Sequence, residues 1–511
     1  MSRGKKTPSF IHEIVLVVSP KDESVLLKRL DCARQLYNAC LGESLRRLDL
    51  MRESKAYQEA RTMPKPKPKD KGKKREFSPR NDLFQHLNRE FRFTDDSIQA
   101  FATKTKNACH FGDHLDAHTC QKVATRAFLS AQSYAFGLRG RPRFKSYNQF
   151  DSVESKSNDC GIRWRDGHVL WSGLELKALF DPKDKHGVEF HALSCRTKYV
   201  RLVRRKIKGR NRFYAQLVQE GKPLLKKPLG TGPTGLDLGP STYAVVSAEE
   251  AILAPFCAEL EPIQKEIRRL QRKLDRSCRA FNPEAFSENG TIKPGIRLKK
   301  SKGYIKTQDQ LAELNRRLAA TRKTLQGKLA NQVLTMGDTF NLEKISYRAW
   351  QKMFGKSVGF RAPGMFVSIL RRKAESAGGT VNEFPVSNRL SQTCHQCGAV
   401  VKKPLSQRWH TCSCGVHAQR DLYSASLAAC VVGDRLDTTL AARRWGLVEP
   451  LLLRAVSRLE QIMMGRDLVP SSLGLKRGRN DSHGKGNGLQ REAWGVVACP
   501  TRQARTLENA A

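Results

Sequence analysis

Three acids and four cysteines stand where they could do chemistry together. Asp237 lies in GLDLGPSTYAVV, Glu343 in DTFNLEKISYRAW and Asp421 in AQRDLYSASLAACVV. Carboxylates gathered at one point repel unless a cation sits among them. Hard cations take oxygen ligands, and two Mg²⁺ ions about 4 Å apart suit three such groups. One ion would activate a water and the other would steady a leaving 3′-oxygen, which is phosphodiester cleavage. Each acid alone is weak evidence; their order and contexts together are specific.

The cysteines carry a second chemistry. CHQCG supplies Cys394 and Cys397, and TCSCG supplies Cys412 and Cys414. A single CxxC also suits a redox pair, but two pairs in one short stretch suit tetrahedral Zn²⁺. The CxC spacing of Cys412 and Cys414 strains chelation of one ion by both. His410 or His417 could then replace one of them, and Cys414 with His417 has ordinary knuckle spacing. His395, inside the first pair, is a weaker ligand candidate.

Elements must hold these groups in place. The apolar run around Asp237 reads as a central strand, with Gly239 allowing a sharp turn beside it. Glu343 ends another short apolar strand. Asp421 falls in the first turn of a helix. There Ser424, Ala425, Ala428 and Ala429 follow on one small-residue face that can approach a sheet closely. Upstream, residues 9–19 read as a strand and 21–50 as a helix. Residues 80–137 read as mostly helical. The pattern from 161 to 225 is β in IRWRDGHVLW, VEFHAL, YVRLVRRKIKG and RFYAQLVQEG, with Gly209 at a hairpin turn. Two basic helical stretches, 263–276 and 311–336, lie between Asp237 and Glu343.

The whole chain is strongly basic. Lys and Arg number 92 against 49 Asp and Glu, a formal net charge of +43 over 511 residues. That field asks for a polyanion, because each phosphate neutralised releases a counterion. A membrane surface would ask instead for a basic amphipathic helix or an apolar anchor, and no apolar run is long enough to span. The loop PKPKPKDKGKKRE at 64–76 reads as a solvated, extended insertion. Arg141, Arg143, Phe144, Lys145 and Tyr147, in GLRGRPRFKSYNQF, could stack and pair with nucleic acid or form a plain basic loop. The 14 cysteines, four of them clustered, suit a reduced, cytoplasmic setting without a disulfide framework.

From about residue 8 to 433 the chain resembles the TnpB (transposon OrfB) family of RNA-guided nucleases, related to compact type V CRISPR effectors. GRPRFKS resembles the family's G-x-P-x-F-K element. GLDLGPSTYAVV, NLEKIS and RDLYSASLA resemble RuvC motifs I, II and III, and the cysteine pairs resemble the zinc ribbon before motif III. The resemblance implies an α+β multidomain fold. A wedge β-barrel would take 1–50 and 150–228, with a helical recognition domain inserted at 51–149. An RNase H-like RuvC nuclease domain would take 229–390, a zinc-binding insert 391–416 and the motif III helix 417–433, with an extension at 434–511. It implies a guide RNA, a target DNA beside a short flanking motif, and Asp237, Glu343 and Asp421 as catalytic acids. Motif III commonly reads D-x-N-A-A; here Tyr423 and Ser424 stand in that motif, which puts packing near the site in question. Within 434–465 a helix or two is expected, and the run from 466 reads as disordered.

Two other functions compete. One is an RNA-guided DNA-binding protein that does not cut, which the survival of all three acids disfavours. The other is a DNA transposase, for which no separate end-binding helix-turn-helix is evident.

Overall fold

The computed structural model describes residues 7–64, 78–225, 228–404, 406–463 and 473–474. The basic loop expected at 64–76 lies outside these from residue 65, and the run from 466 lies outside them except for Leu473 and Gly474.

The first half joins a helical layer to a sheet. Strand β1 (Ser9–Leu16) leads into the long helix α1 (Pro20–Glu53). Ser19 caps α1 by accepting from the Asp22 amide, and Pro20 stands in the first turn, where a missing N–H costs nothing. Helices α2 (Lys55–Thr62), α3 (Pro79–Glu90), α4 (Asp95–Ala108) and α5 (Ala117–Ala135) follow. Then come β2 (Ser152–Glu154), β3 (Arg163–Arg165), β4 (His168–Trp171) and β5 (Leu174–Leu179). After α6 (Val188–Ser194) the chain forms the hairpin β6 (Thr197–Ile207) and β7 (Arg210–Glu220). The strands make one seven-stranded sheet in the order β2-β6-β7-β1-β5-β4-β3. The sheet curls, since β3 at one end returns against β6 near the other. Along β5, buried and exposed residues alternate, the mark of a strand with one covered face. Helices and sheet share one apolar core, from Ile14 and Leu36 through Phe128 to Trp171 and Leu217.

One expectation fails here. VEFHAL, read as a strand, is the helix α6. Its alternation is overridden by a cap: the Asp184 carboxylate accepts from the amides of Val188, Glu189 and Phe190, the orphan donors of a helix start.

The second half is a five-stranded sheet between two helical layers. Strands β8 (Pro233–Leu238), β9 (Thr242–Val246) and β10 (Ala251–Pro255) form a meander. Helices α7 (Glu261–Phe281) and α8 (Lys302–Leu334) lead to β11 (Thr339–Glu343). Helices α9 (Tyr347–Arg361) and α10 (Pro363–Ala377) lead to β12 (Thr380–Phe384). The order is β10-β9-β8-β11-β12. Strand β11 runs parallel to both β8 and β12, while β9 runs antiparallel to β8 and β10. A small hairpin of β13 (Trp409–Thr411) and β14 (His417–Gln419) precedes α11 (Arg420–Ala428). The two-residue strands β15 (Val431–Val432) and β16 (Arg435–Leu436) follow, then α12 (Thr438–Met463), one helix that runs through Pro450.

The sheet's two faces divide the work. Leu236, Leu238, Phe340 and Leu342 pack toward Val333 of α8 and Phe366 and Leu370 of α10. Ala244, Val246 and Leu253 pack toward Ala425 of α11 and Leu451 and Leu452 of α12. Because side chains alternate along a strand, Gly235 and Asp237 look toward the α11 side. No helix among the described residues is long and apolar enough to cross a membrane.

Candidate active site and cysteine knuckle

Asp237 stands near the end of β8, opposite Ala244 of β9. Parallel pairing sets Leu342 of β11 beside Leu236 of β8. One residue further along each strand are Glu343 and Asp237, so both acids end neighbouring central strands. Asp421 comes from above, in the first turn of α11. Its helix is held close because Gly235 has no side chain: a Cβ there would collide with the Ala425 carbonyl oxygen and the Ala429 amide. The small-residue face read from the sequence is thus the face that meets the sheet. Gly239 acts by crowding, not by a left-handed φ. It donates to the Thr242 carbonyl at 2.9 Å, and a Cβ on it would press on Thr242.

The three acids feel one another. Desolvation pushes the Asp237 carboxyl well up, and the charges of Asp421 and Glu343 add to it. Desolvation also raises Glu343 and Asp421. Arg408 and Arg420 pull Asp421 back toward its charged form, and Arg420 does the same for Asp237. The buried Ser424 hydroxyl lies against Asp237 and, by hydrogen bonding, draws that carboxyl part of the way back down. Each acid keeps part of its surface open to solvent. Crowded, reluctant carboxylates of this kind are a donor set that suits a hard cation. They stand further apart than the cysteines: among the described residues, only the four thiols form a group with all donor atoms within 4.8 Å.

That group is Cys394, Cys397, Cys412 and Cys414. The Sγ atoms of Cys394 and Cys414 are 3.5 Å apart, as are those of Cys397 and Cys412. The turn after β13 brings the CxC pair in without help: the Gly415 amide donates to the Cys412 carbonyl, and the Cys412 amide to the Val416 carbonyl. The Cys414 amide and the Cys397 thiol pull the Cys412 thiol down to about 6, toward the thiolate a metal needs. Four sulfurs so placed could bind zinc. His417 stays outside the group; its Nδ1 meets the Thr411 hydroxyl at 3.1 Å and its ring stacks on Trp409. His410 is buried against Tyr423, and His395 is buried behind the knuckle.

Tyr423, where the resemblance implies an Asn, faces the knuckle and not the acids. Its Oη accepts from the His395 amide at 3.0 Å and donates to the Thr393 carbonyl at 3.2 Å. Arg420 also reaches across, donating to the carbonyls of Pro404 at 2.9 Å and Gln407 at 3.2 Å. Residue types and spacing do not foretell these ties; only the unusual Tyr in the motif-III-like segment signals that something there differs.

The basic segment before β2 is hooked onto α1. The Lys145 amide donates to Asn38 Oδ1 at 2.8 Å, and the Lys145 carbonyl accepts from Asn38 Nδ2 at 2.9 Å. Phe144 is 60% exposed and Tyr147 71% exposed, so both rings are open to stacking. Arg141 pairs with Asp49 at 3.0 Å, while Arg143 is exposed. A cleft of about 880 Å³ lies nearby, lined by Lys28, Tyr147, Arg204, Arg205, Lys206 and Arg316 among others.

Residues 364–426, from α10 through the knuckle into α11, match the model of the Cas12f1-like TNB domain. Comparison with curated protein sequences gives no match. Among solved structures, the chain is similar to one titled as a cryo-EM structure of the Cas12f1-sgRNA-target DNA complex. That similarity has 12% identity and a TM-score of 0.39, over 82% of this chain and 98% of that one. A CRISPR-Cas12f ternary complex gives 12% identity and 0.28 over 79% and 81%. The mini-RNA-guided endonuclease CRISPR-Cas_phi3 gives 14% identity and 0.27 over 54% and 57%. The segment that carries the cysteine knuckle and most of the helix after it is thus similar to a Cas12f1-like TNB domain.

Proposed function

We propose that this protein is an RNA-guided DNA endonuclease with a RuvC-type, RNase H-like catalytic domain. The observation that carries it is the meeting of Asp237, Glu343 and Asp421 at the ends of β8 and β11 and the start of α11. The mixed β10-β9-β8-β11-β12 sheet supports the RNase H-like reading, and the curled seven-stranded sheet supports the wedge barrel. The likeness of residues 364–426 to an effector domain supports guidance by RNA.

In this reading the acids would hold two Mg²⁺ ions, which when bound would supply the charge that activates water and steadies the leaving oxygen. The chain's own part is positional. β8 and β11 fix two carboxylates by register, and Gly235 lets α11 bring the third. Arg408 and Arg420 offset part of their mutual repulsion. The four cysteines would hold zinc as a structural ion with no open position. Base pairing would supply sequence, and the basic surfaces would hold the heteroduplex by its phosphates beside a short flanking DNA motif.

The test is cleavage by the purified ribonucleoprotein. It is expressed with its native flanking DNA and challenged with guide-matched plasmids next to randomised bases, with and without Mg²⁺. Mg²⁺-dependent loss of a subset of plasmids, abolished by Asp237→Ala, is expected. Guided binding without cutting in the unaltered protein would reassign it to the guided binders.

A further inference from the structure

Helix α11 has two duties on opposite sides. In an α-helix, residues two apart point about 200° apart around the axis and lie about 3 Å apart along it. Asp421 is directed at the sheet, and Tyr423 therefore at the knuckle. Tyr423 is wholly buried, yet it is not a plain core residue. Its hydroxyl holds the backbone on both sides of Cys394: it donates to the carbonyl of Thr393 and accepts from the amide of His395. The His395 ring nitrogen Nδ1 lies at 3.0 Å from the same oxygen. The Tyr423 ring lies on His410, 4.0 Å between centroids and 25° from parallel, in the strand that leads to Cys412. Tyr423 therefore touches both arms of the cysteine group. Trp445 of α12 closes the third side, 5.7 Å from Tyr423 and 4.5 Å from His395. A Phe or Leu would fill such a core; a hydroxyl with partners flanking one ligand does more than fill.

We propose that Tyr423 is a positioning residue that couples the four-cysteine knuckle to Asp421, so that filling the knuckle with metal sets where that carboxylate stands. This rests on the reading of Asp421 as a catalytic acid. When Cys394 and Cys412 are drawn onto one ion, their strands can no longer shift. The Tyr423 ring is then gripped between His395 and His410, and the first turn of α11 is fixed. Without the ion, the two arms separate, the grip loosens and Asp421 drifts from Asp237 and Glu343. Arg420 supplies a second tie to the same loop, so Tyr423 transmits most but not all of the effect.

The experiment measures α11 directly and needs no cleavage. Amide hydrogen exchange of residues 419–428 is compared in full-length ribonucleoprotein with zinc loaded and with zinc removed and checked by elemental analysis. Zinc removal should speed exchange there roughly tenfold in the unaltered protein, and Tyr423→Phe should shrink that difference severalfold. With zinc loaded, Tyr423→Phe should lower the single-turnover cleavage rate and raise the Mg²⁺ concentration for half-maximal rate, with target affinity unchanged. Exchange in α11 that ignores zinc in the unaltered protein overturns the proposal, as does a zinc effect equally large in Tyr423→Phe. Asp421→Asn is run alongside. If it cleaves normally, the catalytic assignment of Asp421 falls, while the exchange result still stands or falls by itself.

Discussion

Asp237 carries the sharpest conflict in the molecule, a carboxylate desolvated among its own kind. Its value in the fold is raised above that in the unfolded chain, so between the two values the folded state holds the extra proton. The stability this gives is full below the unfolded value and is lost as pH rises through the folded one. In Mg²⁺-free buffer the melting temperature should therefore fall as pH rises above the ordinary aspartate value of about 4, and Asp237→Asn should flatten that slope by a few degrees. Parallel pH profiles for the two proteins would mean that the acids are not strained. Added Mg²⁺ should stabilise the unaltered protein at neutral pH and leave Asp237→Asn nearly unmoved, read from the same melts. The acids are legible in the sequence because their apolar surroundings mark strand ends. The tie from Tyr423 to Thr393 and His395 is not, because it joins positions 28 to 30 residues apart through a loop whose course no periodicity reveals.

Among the described elements, β8 and α11 meet with no room for a side chain at Gly235. Gly235→Ala puts a methyl group into the Ala425 carbonyl and the Ala429 amide, both backbone atoms that cannot rotate away. It should destabilise the protein by about 1–3 kcal/mol, as overpacking does, and reduce cleavage by moving Asp421 away from Asp237. Denaturant unfolding and a single-turnover assay would measure the two effects. Unchanged stability would show that α11 sits higher than described. The long helices α1, α7 and α8 are plain from sequence, since their apolar stripes repeat over many turns. Helix α6 is not, because seven residues of mixed character fit a strand as well as a helix. What decides it is Asp184, just upstream, whose carboxylate takes three amides. Helix α12 is legible only as a helical stretch; its service to the fold, covering one sheet face and pressing Trp445 on His395, is tertiary.

Over the whole molecule, charge is the dominant property, and it is fully visible in composition. Where it gathers is not. The cleft that holds Lys28 and Lys206 draws its walls from α1, the segment before β2, the β6–β7 hairpin and α8, stretches far apart in sequence. The Lys208 amide at the hairpin tip donates to the Glu313 carboxylate of α8 at 3.2 Å, which joins the two halves there. Replacing Lys28 and Lys206 with Glu should weaken nucleic-acid binding evenly across sequences. It should also flatten the plot of log affinity against log salt, by about one unit for each phosphate that is no longer neutralised. An unchanged slope would place the phosphates elsewhere.

The return of the chain at Leu473 and Gly474 has a consequence for anyone shortening this protein. Leu473 is buried in the core under α11 and α12, and the Trp409 indole donates to the Gly474 carbonyl at 3.3 Å. Trp409 adjoins Arg408, whose charge bears on Asp421. A stop placed after α12 would look harmless on a plot of motifs, since the last recognisable one ends well before it. It would in fact empty a core position, an effect comparable to truncating a buried leucine, about 2–5 kcal/mol. Such a product should express poorly and melt several degrees early, so shortened variants must keep the chain at least through residue 474.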